Sequence, residues 1–474
     1  MEKKAALIVL GGYVLIALIG ALILLLPISK VGSLNFVDAL FTSTSALCVT
    51  GLIVKDTPVF FTAFGKAVIL LLIQIGGIGY MTIVGIFLHR LRRSLMLPEM
   101  MAQGFPELKP GFAFYFARRV VIYTLMIEIL GFFLLFLGFY KYFDSAASLK
   151  HAFFHSVSAF CNAGFSTFSD SLCRFRGDIF VNFVIIFLIV TGGLGFFAVH
   201  ELRGYLTGQI KRLLGLTRKG IKGSIESVPG VYTKQKVHQT RFSTHTKSVL
   251  LWTFILIVAG FLFIFISEIN GKYSYLPLKD KFLFSLFQSV TTRTCGFNTV
   301  HMGYLKPVTL VFIMLLMFIG GSPGGTAGGV KTNTFFIIFV WVFHYLKGYK
   351  NVYLFKRKVS EIVIEKAFII LIIAIVFNYF VFLTILLVDP KVLELHAPLE
   401  VLFEVISAFG TVGLSTGSKI YSAVSLSADF NVLSKCIIIL TMLVGKVGVL
   451  TLATYIVEKA KVEIGYPEDR YIVG

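Results

Sequence analysis

Long apolar runs alternate along the chain with short stretches in which polar residues are spaced among apolar ones. Ala5 to Pro27, Ala67 to Leu88, Ile179 to Val199 and Val249 to Ile266 each approach or exceed the ~18–20 apolar residues that cross a bilayer as a helix. Hydropathy along the chain gives eight candidate spans. The short amphipathic stretches are about eleven residues long, roughly 16 Å of helix at 1.5 Å per residue, which is half a bilayer. They should therefore dip in from one side and return. Irregular backbone at that depth survives only where it is buried in protein or lines a watery cavity. The first run follows Lys3 and Lys4. It is too long for the apolar part of a signal peptide and lacks a small-x-small cleavage site, so it reads as a retained helix.

Aligning the chain on Gly51, Gly164, Gly296 and Gly413 brings out an internal repeat. Phe41, Phe154 and Phe403 then share one column, and Ser45, Ser158 and Ser407 another; a large apolar residue, Leu52, Phe165, Phe297 or Leu414, follows each glycine. Each unit runs as a long apolar helix, a short amphipathic helix, a glycine stretch and a second long helix. The expected fold is an all-α membrane protein, with eight transmembrane helices in four helix–pore-loop–helix repeats around a central pore. The repeats cover 1–97, 98–210, 248–350 and 351–458, with a basic linker over 211–247 and a C-terminal tail over 459–474.

Composition agrees with that class. Hydrophobic residues make up 57% of the 474 positions and charged residues 14%. A soluble chain of this length needs roughly twice that charged share. The net charge of +20 does not point to nucleic acid, because of where it lies. The termini with segments 89–119, 201–247 and 344–366 carry 27 Lys/Arg against 11 Asp/Glu, which by the positive-inside rule makes both termini cytoplasmic. Anionic lipid headgroups are the partners of that charge. The stretch from Lys211 to Lys247 is densest, with Glu226 as its one acid. It serves either topology alone or the docking of an acidic cytosolic partner. The five cysteines are scattered and suit neither a disulfide framework nor a zinc site.

A dehydrating cation needs oxygen ligands, and backbone carbonyls supply them without net charge. Pointing successive carbonyls at one axis requires backbone angles that glycine adopts cheaply. The candidate ion-binding stretches, acting mainly through backbone, are Cys48, Val49, Thr50 and Gly51; Asn162, Ala163 and Gly164; Thr294, Cys295 and Gly296; and Thr411, Val412 and Gly413. Each short helix would aim its negative dipole end at that axis. Asp38, Asp280, Glu400 and Glu404 either concentrate cations at the mouth or are ordinary helix-start and surface charges. Glu128, His155 and Asn378 read as helix–helix hydrogen-bonding groups, and Glu268 as an outer-interface residue.

These residues resemble the Trk/Ktr/HKT superfamily of potassium transporters, and the Ktr-type membrane subunit most, since one helix precedes the first pore segment where the Trk type has two more. The resemblance covers nearly the whole chain, including Tyr466-Pro-Glu-Asp-Arg470 at its end. It places the family's filter glycines on Gly51, Gly164, Gly296 and Gly413. Some sodium-selective relatives carry serine in the first filter, so Gly51 favours potassium. It also implies a homodimer with one pore per chain, assembled with a cytosolic nucleotide-binding ring in the plasma membrane. Potassium is then the transported ion, no cofactor is covalently bound, and nucleotide belongs to the partner subunit.

Two features remain. Gly320-Gly321-Ser322-Pro323-Gly324-Gly325-Thr326-Ala327-Gly328-Gly329 interrupts a second helix and cannot be straight helix. A phosphate-binding loop is excluded, because Val330 separates Lys331 from the last glycine and no strand precedes. The stretch is either a mobile loop under the filter, where the family's gating loop falls, or a kink for close helix packing. Lys446, in Val444-Gly-Lys-Val-Gly448, stands where other units have Gly76-Gly-Ile-Gly79 and Gly192-Gly-Leu-Gly195. A mid-membrane lysine costs roughly 2.5–3.5 kcal/mol on insertion scales, so it faces water or a partner, unless it snorkels to the surface. The family has arginine there, and lysine keeps the charge without the planar fork. No nucleophile, metal set or carboxylate pair suggests an enzyme. A secondary transporter with alternating access is the alternative to a pore, although such folds show inverted or two-fold repeats.

Overall fold

The computed structural model describes residues 2–79, 110–213 and 242–448. The C-terminal half of the run to Leu88, most of the basic linker and the tail with Tyr466–Arg470 lie outside the described residues.

The same order of helices recurs four times. The first set is α1 (Glu2–Leu25), the short α2 (Phe36–Leu47) and α3 (Ala63–Ile78). The second is α4 (Pro110–Phe139), the short α5 (Ser145–Phe160) and α6 (Ile179–Gly193), which turns by 109° into α7 (Phe196–Leu213). The third is α8 (Thr244–Glu268), the short α9 (Leu278–Thr291), then α10 (Pro307–Phe318) and α11 (Thr332–Leu346) on either side of the glycine-rich stretch. The fourth is α12 (Glu361–Val388), the short α13 (Pro398–Gly410) and α14 (Val432–Val447). A two-residue hairpin, Tyr353–Leu354 against Arg357–Lys358, precedes α12. Among the described residues Ala117–Phe139, Thr244–Glu268 and Glu361–Val388 are each long and apolar enough to cross a bilayer, and the bent pair α6–α7 makes a fourth candidate.

These segments are helical because apolar residues run on all sides of them, which suits a helix with protein on one face and lipid on the other. On α12, Ala374, Val381 and Ile385 are buried while Val376, Phe380 and Leu387 are exposed. Capping residues set the starts of the inner helices. Thr62 accepts from the Gly65 N–H at 3.2 Å, Asp178 from Val181 at 3.0 Å and Asn431 from Ser434 at 2.8 Å. Pro307 starts α10, where its missing N–H costs nothing.

Packing is cyclic. Each short helix lies against the long helix before it, in the pairs α1–α2, α4–α5, α8–α9 and α12–α13. Each second helix then packs on the short helix of the next unit: α3 on α5, α6 on α9, α10 on α13, and α14 back on α2. The chain therefore closes on itself, and the four short helices are buried at the centre. Phe41, Phe160, Phe287, Phe403 and Phe409 are fully buried there.

Candidate functional site

At the carboxyl end of each short helix the backbone takes the same unusual course. Val49, Asn162, Thr294 and Thr411 have positive φ (58°, 59°, 76° and 48°), and so do the glycines two residues on, Gly51, Gly164, Gly296 and Gly413 (92°, 68°, 88° and 88°). The residue between each pair is not in that region. Alternating handedness turns successive N–H groups to one side of the strand and their carbonyls to the other. The N–H side faces the short helix. Val49 donates to the Ala46 carbonyl at 3.1 Å, Thr50 to the Ser45 carbonyl at 2.8 Å and Gly51 to the Ser45 hydroxyl at 3.1 Å. In the fourth unit Thr411, Val412 and Gly413 donate to the Ala408 carbonyl, the Ser407 carbonyl and the Ser407 hydroxyl. With their N–H groups used in this way, the carbonyls of these strands face away from the helices.

The four strands form a closed ring. A Cβ on Gly51 would collide with the carbonyl oxygen of Ala163, one on Gly164 with that of Cys295, one on Gly296 with that of Val412, and one on Gly413 with that of Thr50. Each glycine thus rests on the carbonyl of the next unit, and the fourth rests on the first. Glycine is required here for its positive φ and for this approach of backbone to backbone. All four glycines line one cavity of about 510 Å³, together with residues of the segments that follow them and Glu400 from the first turn of α13.

Hydroxyls brace the ring from behind. Ser45 donates to the carbonyl of Leu52, Ser158 to that of Phe165 and Thr291 to that of Phe297, each at 2.7 Å. The glycine-anchored alignment puts Val290, not Thr291, in this column. Here the structure corrects the register. The N–H before each glycine reaches back five residues in units one, two and four (Thr50 to Ser45, Ala163 to Ser158, Val412 to Ser407) but four in unit three (Cys295 to Thr291). The third turn is one residue shorter. Allowing for that residue puts Thr291 in the hydroxyl column and the fully buried Phe287 in the phenylalanine column.

The carboxylates divide. Glu400 lines the cavity, together with Asp56 and Asp170, which the sequence reading passed over. Asp38 does not serve the mouth; it is buried and paired with Lys435 on α14 at 2.8 Å. Glu404 is fully buried and accepts from the Ser427 N–H and hydroxyl at 3.0 and 2.6 Å. Both are structural because they sit deeper on the buried face of their helices than sequence position suggests. Asp280 lies beside Gly177, a Cβ on which would stand 3.2 Å from its carboxylate. Glu128 accepts from Gln74 of the neighbouring unit at 3.0 Å, a true interhelix bond, whereas Asn378 donates to Ala374 in its own helix. His155 binds Ser166 and the His151 carbonyl, and Glu268 is buried, accepting from the Lys306 N–H and the Thr309 hydroxyl.

On the opposite side of the ring lies the stretch from Gly320 to Gly329. Its base is pinched by backbone bonds, Gly320 N–H to Val330 and Thr332 N–H to Gly321, at 2.9 and 3.1 Å. The loop body reaches two other units. Ser322 donates to Gly193 at 3.1 Å, and Phe196 donates to Gly324 at 3.1 Å. Towards the fourth unit, Gly329 donates to Gly445 at 3.2 Å and the Lys446 ammonium to the Thr326 carbonyl at 2.6 Å. A Cβ on Gly328 would strike Thr411, so the loop touches the ring itself. With its side-chain amide turned, Asn162 accepts from the Thr326 hydroxyl at 3.2 Å. Lys331, considered in the sequence only to exclude a phosphate loop, donates to the Ala327 carbonyl at 2.5 Å. No cluster of metal-ligating side chains occurs among the described residues.

A helical membrane protein with four ring-forming strands on one axis is a transporter architecture. The chain belongs to the TrkH family, described as cation transport proteins, whose sequence profile matches residues 13–463. It is 35% identical over 467 residues to the Ktr system potassium uptake protein B of Bacillus subtilis (strain 168), covering 98% of this chain and 95% of that one. The Ktr system potassium uptake protein D of the same organism is 33% identical, with the same coverage. The potassium/sodium uptake protein NtpJ of Enterococcus hirae is 29% identical over 482 residues. Among solved structures, the potassium transporter TrkH from Vibrio parahaemolyticus has the same fold, with a TM-score of 0.69 at 18% identity over 95% of this chain and 84% of that one.

Proposed function

We propose that this chain takes up potassium across the plasma membrane through one pore, with the ring of four glycine strands as its selectivity filter. The observation that carries this reading is the closed cycle of contacts, Gly51 on Ala163, Gly164 on Cys295, Gly296 on Val412 and Gly413 on Thr50. A ring held by backbone-to-backbone contact cannot contract around a smaller ion without breaking its own packing, and its carbonyls replace the water of an ion that fits. Cys48 to Gly51, Asn162 to Gly164, Thr294 to Gly296 and Thr411 to Gly413 supply the ligands. Of the cavity's carboxylates, Asp170 and Glu400 are paired with Arg174 and Lys419 at 2.8 and 3.1 Å, and Asp56 is the one we give the role of raising the cation concentration above the ring.

In this reading the eight spans form four repeats with both termini cytoplasmic, and the cavity faces outward. The loop from Gly320 to Gly329 closes the path beneath the filter, with Lys446 as its tether. A cytosolic regulator then opens it; the Ktr system names of the relatives fit a multi-component assembly. We assign the chain a homodimeric state in the lipid bilayer and a nucleotide-binding ring as that regulator. Nucleic acid has no part in it. The test is cation uptake by the purified chain in liposomes. Potassium and rubidium should enter, and sodium should enter far more slowly. Uptake that saturates and stops without a sodium gradient would instead identify coupled transport by alternating access.

A further inference from the structure

Two ammonium groups hold consecutive carbonyls of the glycine-rich loop, and they come from different elements. Lys446 on α14 reaches across 120 residues of sequence to the Thr326 carbonyl at 2.6 Å. Lys331, at the start of α11, turns back four residues to the Ala327 carbonyl at 2.5 Å. Between Ala327 and Lys331 lie Gly328, Gly329 and Val330, with Gly329 at a φ of +65°. That arm has no polar side chain of its own. Its ties are the Gly329 N–H to Gly445, the pinch of Val330 with Gly320, and Lys331.

From this geometry we infer that Lys331 is a positioning residue of the loop, acting with Lys446 as one clamp. The proposal rests on the reading that the loop closes the conduction path. Lys331 straps the arm so that the tip keeps the shape in which the Thr326 carbonyl meets Lys446. A lysine has three donors and no acceptor, so a buried ammonium needs carbonyl oxygens or water. Two such charges on neighbouring carbonyls also repel each other. The closed arrangement is therefore held by two charge-assisted bonds against that repulsion. When either bond is lost, the remaining ammonium and the freed carbonyl gain by turning to water. Lys446 ties the loop to another unit, while Lys331 keeps it a single body that can be tied at all.

The test compares potassium flux in liposomes for the parent, Lys331→Met, Lys331→Arg, Lys446→Met and the double Lys331→Met/Lys446→Met, with a chain lacking Ser322 to Thr326 as the open reference. Each methionine variant should raise flux about tenfold, and the double should exceed either single by no more than about twofold, as for groups sharing one task. Lys331→Arg should stay within about threefold of the parent. Loss of charge in the ion path is separated from loop movement by labelling Ala327→Cys with a neutral maleimide. Labelling should speed up in Lys331→Met and not in Lys331→Arg. Lys331→Gln serves if the methionine variant is not monodisperse. A fast loop-shortened chain beside parent-like flux and labelling in Lys331→Met would overturn the proposal while leaving the loop as the gate. Multiplicative effects in the double variant would overturn the shared clamp. If the loop-shortened chain is no faster than the parent, the gate reading fails, and unchanged labelling would then also remove the strap.

Discussion

The molecule uses glycine in two different ways, in the ring and in the loop beneath it. In the ring, each of Gly51, Gly164, Gly296 and Gly413 is locked between its own helix and the backbone of the next unit. In the loop below, the glycines also pack closely, a Cβ on Gly325 standing 3.1 Å from the Gly192 carbonyl and one on Gly329 3.2 Å from Gly410, but the ties to other units are separate hydrogen bonds, that of Lys446 among them. Missing side chains in the first case let backbones interlock, and in the second let a segment be held by bonds that can be exchanged for water. The lesson is that glycine content alone says nothing of rigidity; what matters is whether the backbone each glycine packs on is itself closed into a ring or tied by a few separate bonds.

The largest effect should come from removing the weakly held partner of this pair. Deleting Ser322 to Thr326 takes away the bonds with Gly193 and Phe196 and the carbonyl that Lys446 holds. If the closed state is favoured by a few kcal/mol, flux in liposomes should rise by about ten- to a hundredfold. The potassium-to-sodium ratio should change little, because the glycine-to-carbonyl contacts and the hydroxyl braces of the ring stay in place and only the bond from Thr326 to the Asn162 side chain is lost. A folded, inserted variant that conducts no faster than the parent would leave the stretch as a packing kink. Lys446→Ala removes one bond only and should raise flux by less, about tenfold, with Lys446→Arg closer to the parent. A flux at or below the parent's in the alanine variant would favour a lysine that merely snorkels.

The tightly held partner should respond in the converse way, through selectivity and not through rate. Gly296→Ser places a Cβ against the Val412 carbonyl at a residue whose φ is +88°. The ring must open to admit it, so discrimination of potassium over sodium should fall about tenfold or more, with expression and insertion retained. Gly51→Ser meets the Ala163 carbonyl in the same way and should behave alike. Unaltered ion ratios in both variants would take these glycines out of the filter.

Much of this was legible in the sequence, and what escaped has identifiable causes. The helical membrane class and the family followed from apolar runs and from the columns around the four glycines. The positive φ two residues before each glycine was not legible, since of Val49, Asn162, Thr294 and Thr411 only Asn162 is a type that takes such angles readily. The backbone is held there by ring closure, which overrides the preference of a β-branched residue such as Val49. Thr291 escaped because one residue is absent from the third turn, and an ungapped alignment hides a deletion inside a helix end. Asp38 and Glu404 were misplaced because helix position does not reveal which face is covered by another unit. Asp56 and Asp170 were missed because they lie in loops that only the fold gathers above the ring.

The hydroxyl braces offer a smaller perturbation that separates support of the ring from the ring itself. Thr291→Val keeps the shape of the side chain and removes the bond to the Phe297 carbonyl. A lost hydrogen bond of this kind is worth about 0.5–1.5 kcal/mol. Potassium-to-sodium selectivity should fall about two- to fivefold, well short of the glycine variants. Ser158→Ala should match it through the Phe165 carbonyl. If Thr291→Val is silent while Val290→Ala is not, the one-residue correction of the third register is wrong.

The smallest effect concerns the carboxylates of the cavity above the ring. Asp56 lines the cavity, accepts from the Ser169 hydroxyl at 2.6 Å, and so joins the outer loops of the first two units. Burial pushes its carboxyl above the ordinary aspartate value, and the bond from Ser169 and the charge of Lys66 only partly oppose this. A raised value means that Asp56 takes up a proton at a higher pH than an exposed aspartate. Its contribution to folding stability is therefore favourable at low pH, below the unfolded value, and is lost as pH rises through the folded one. For transport the sign is opposite in effect. Acidifying the outer solution neutralises Asp56 early, the cavity holds fewer cations, and uptake at low potassium declines while the maximal rate does not. The half-saturating potassium concentration should rise about two- to threefold between about pH 7 and pH 4. Asp56→Asn should start near the acid value and show a flatter profile, with thermal stability at neutral pH equal to or above the parent's. A pH profile in Asp56→Asn that superimposes on the parent's would overturn this role, leaving Asp56 as a brace between the two loops.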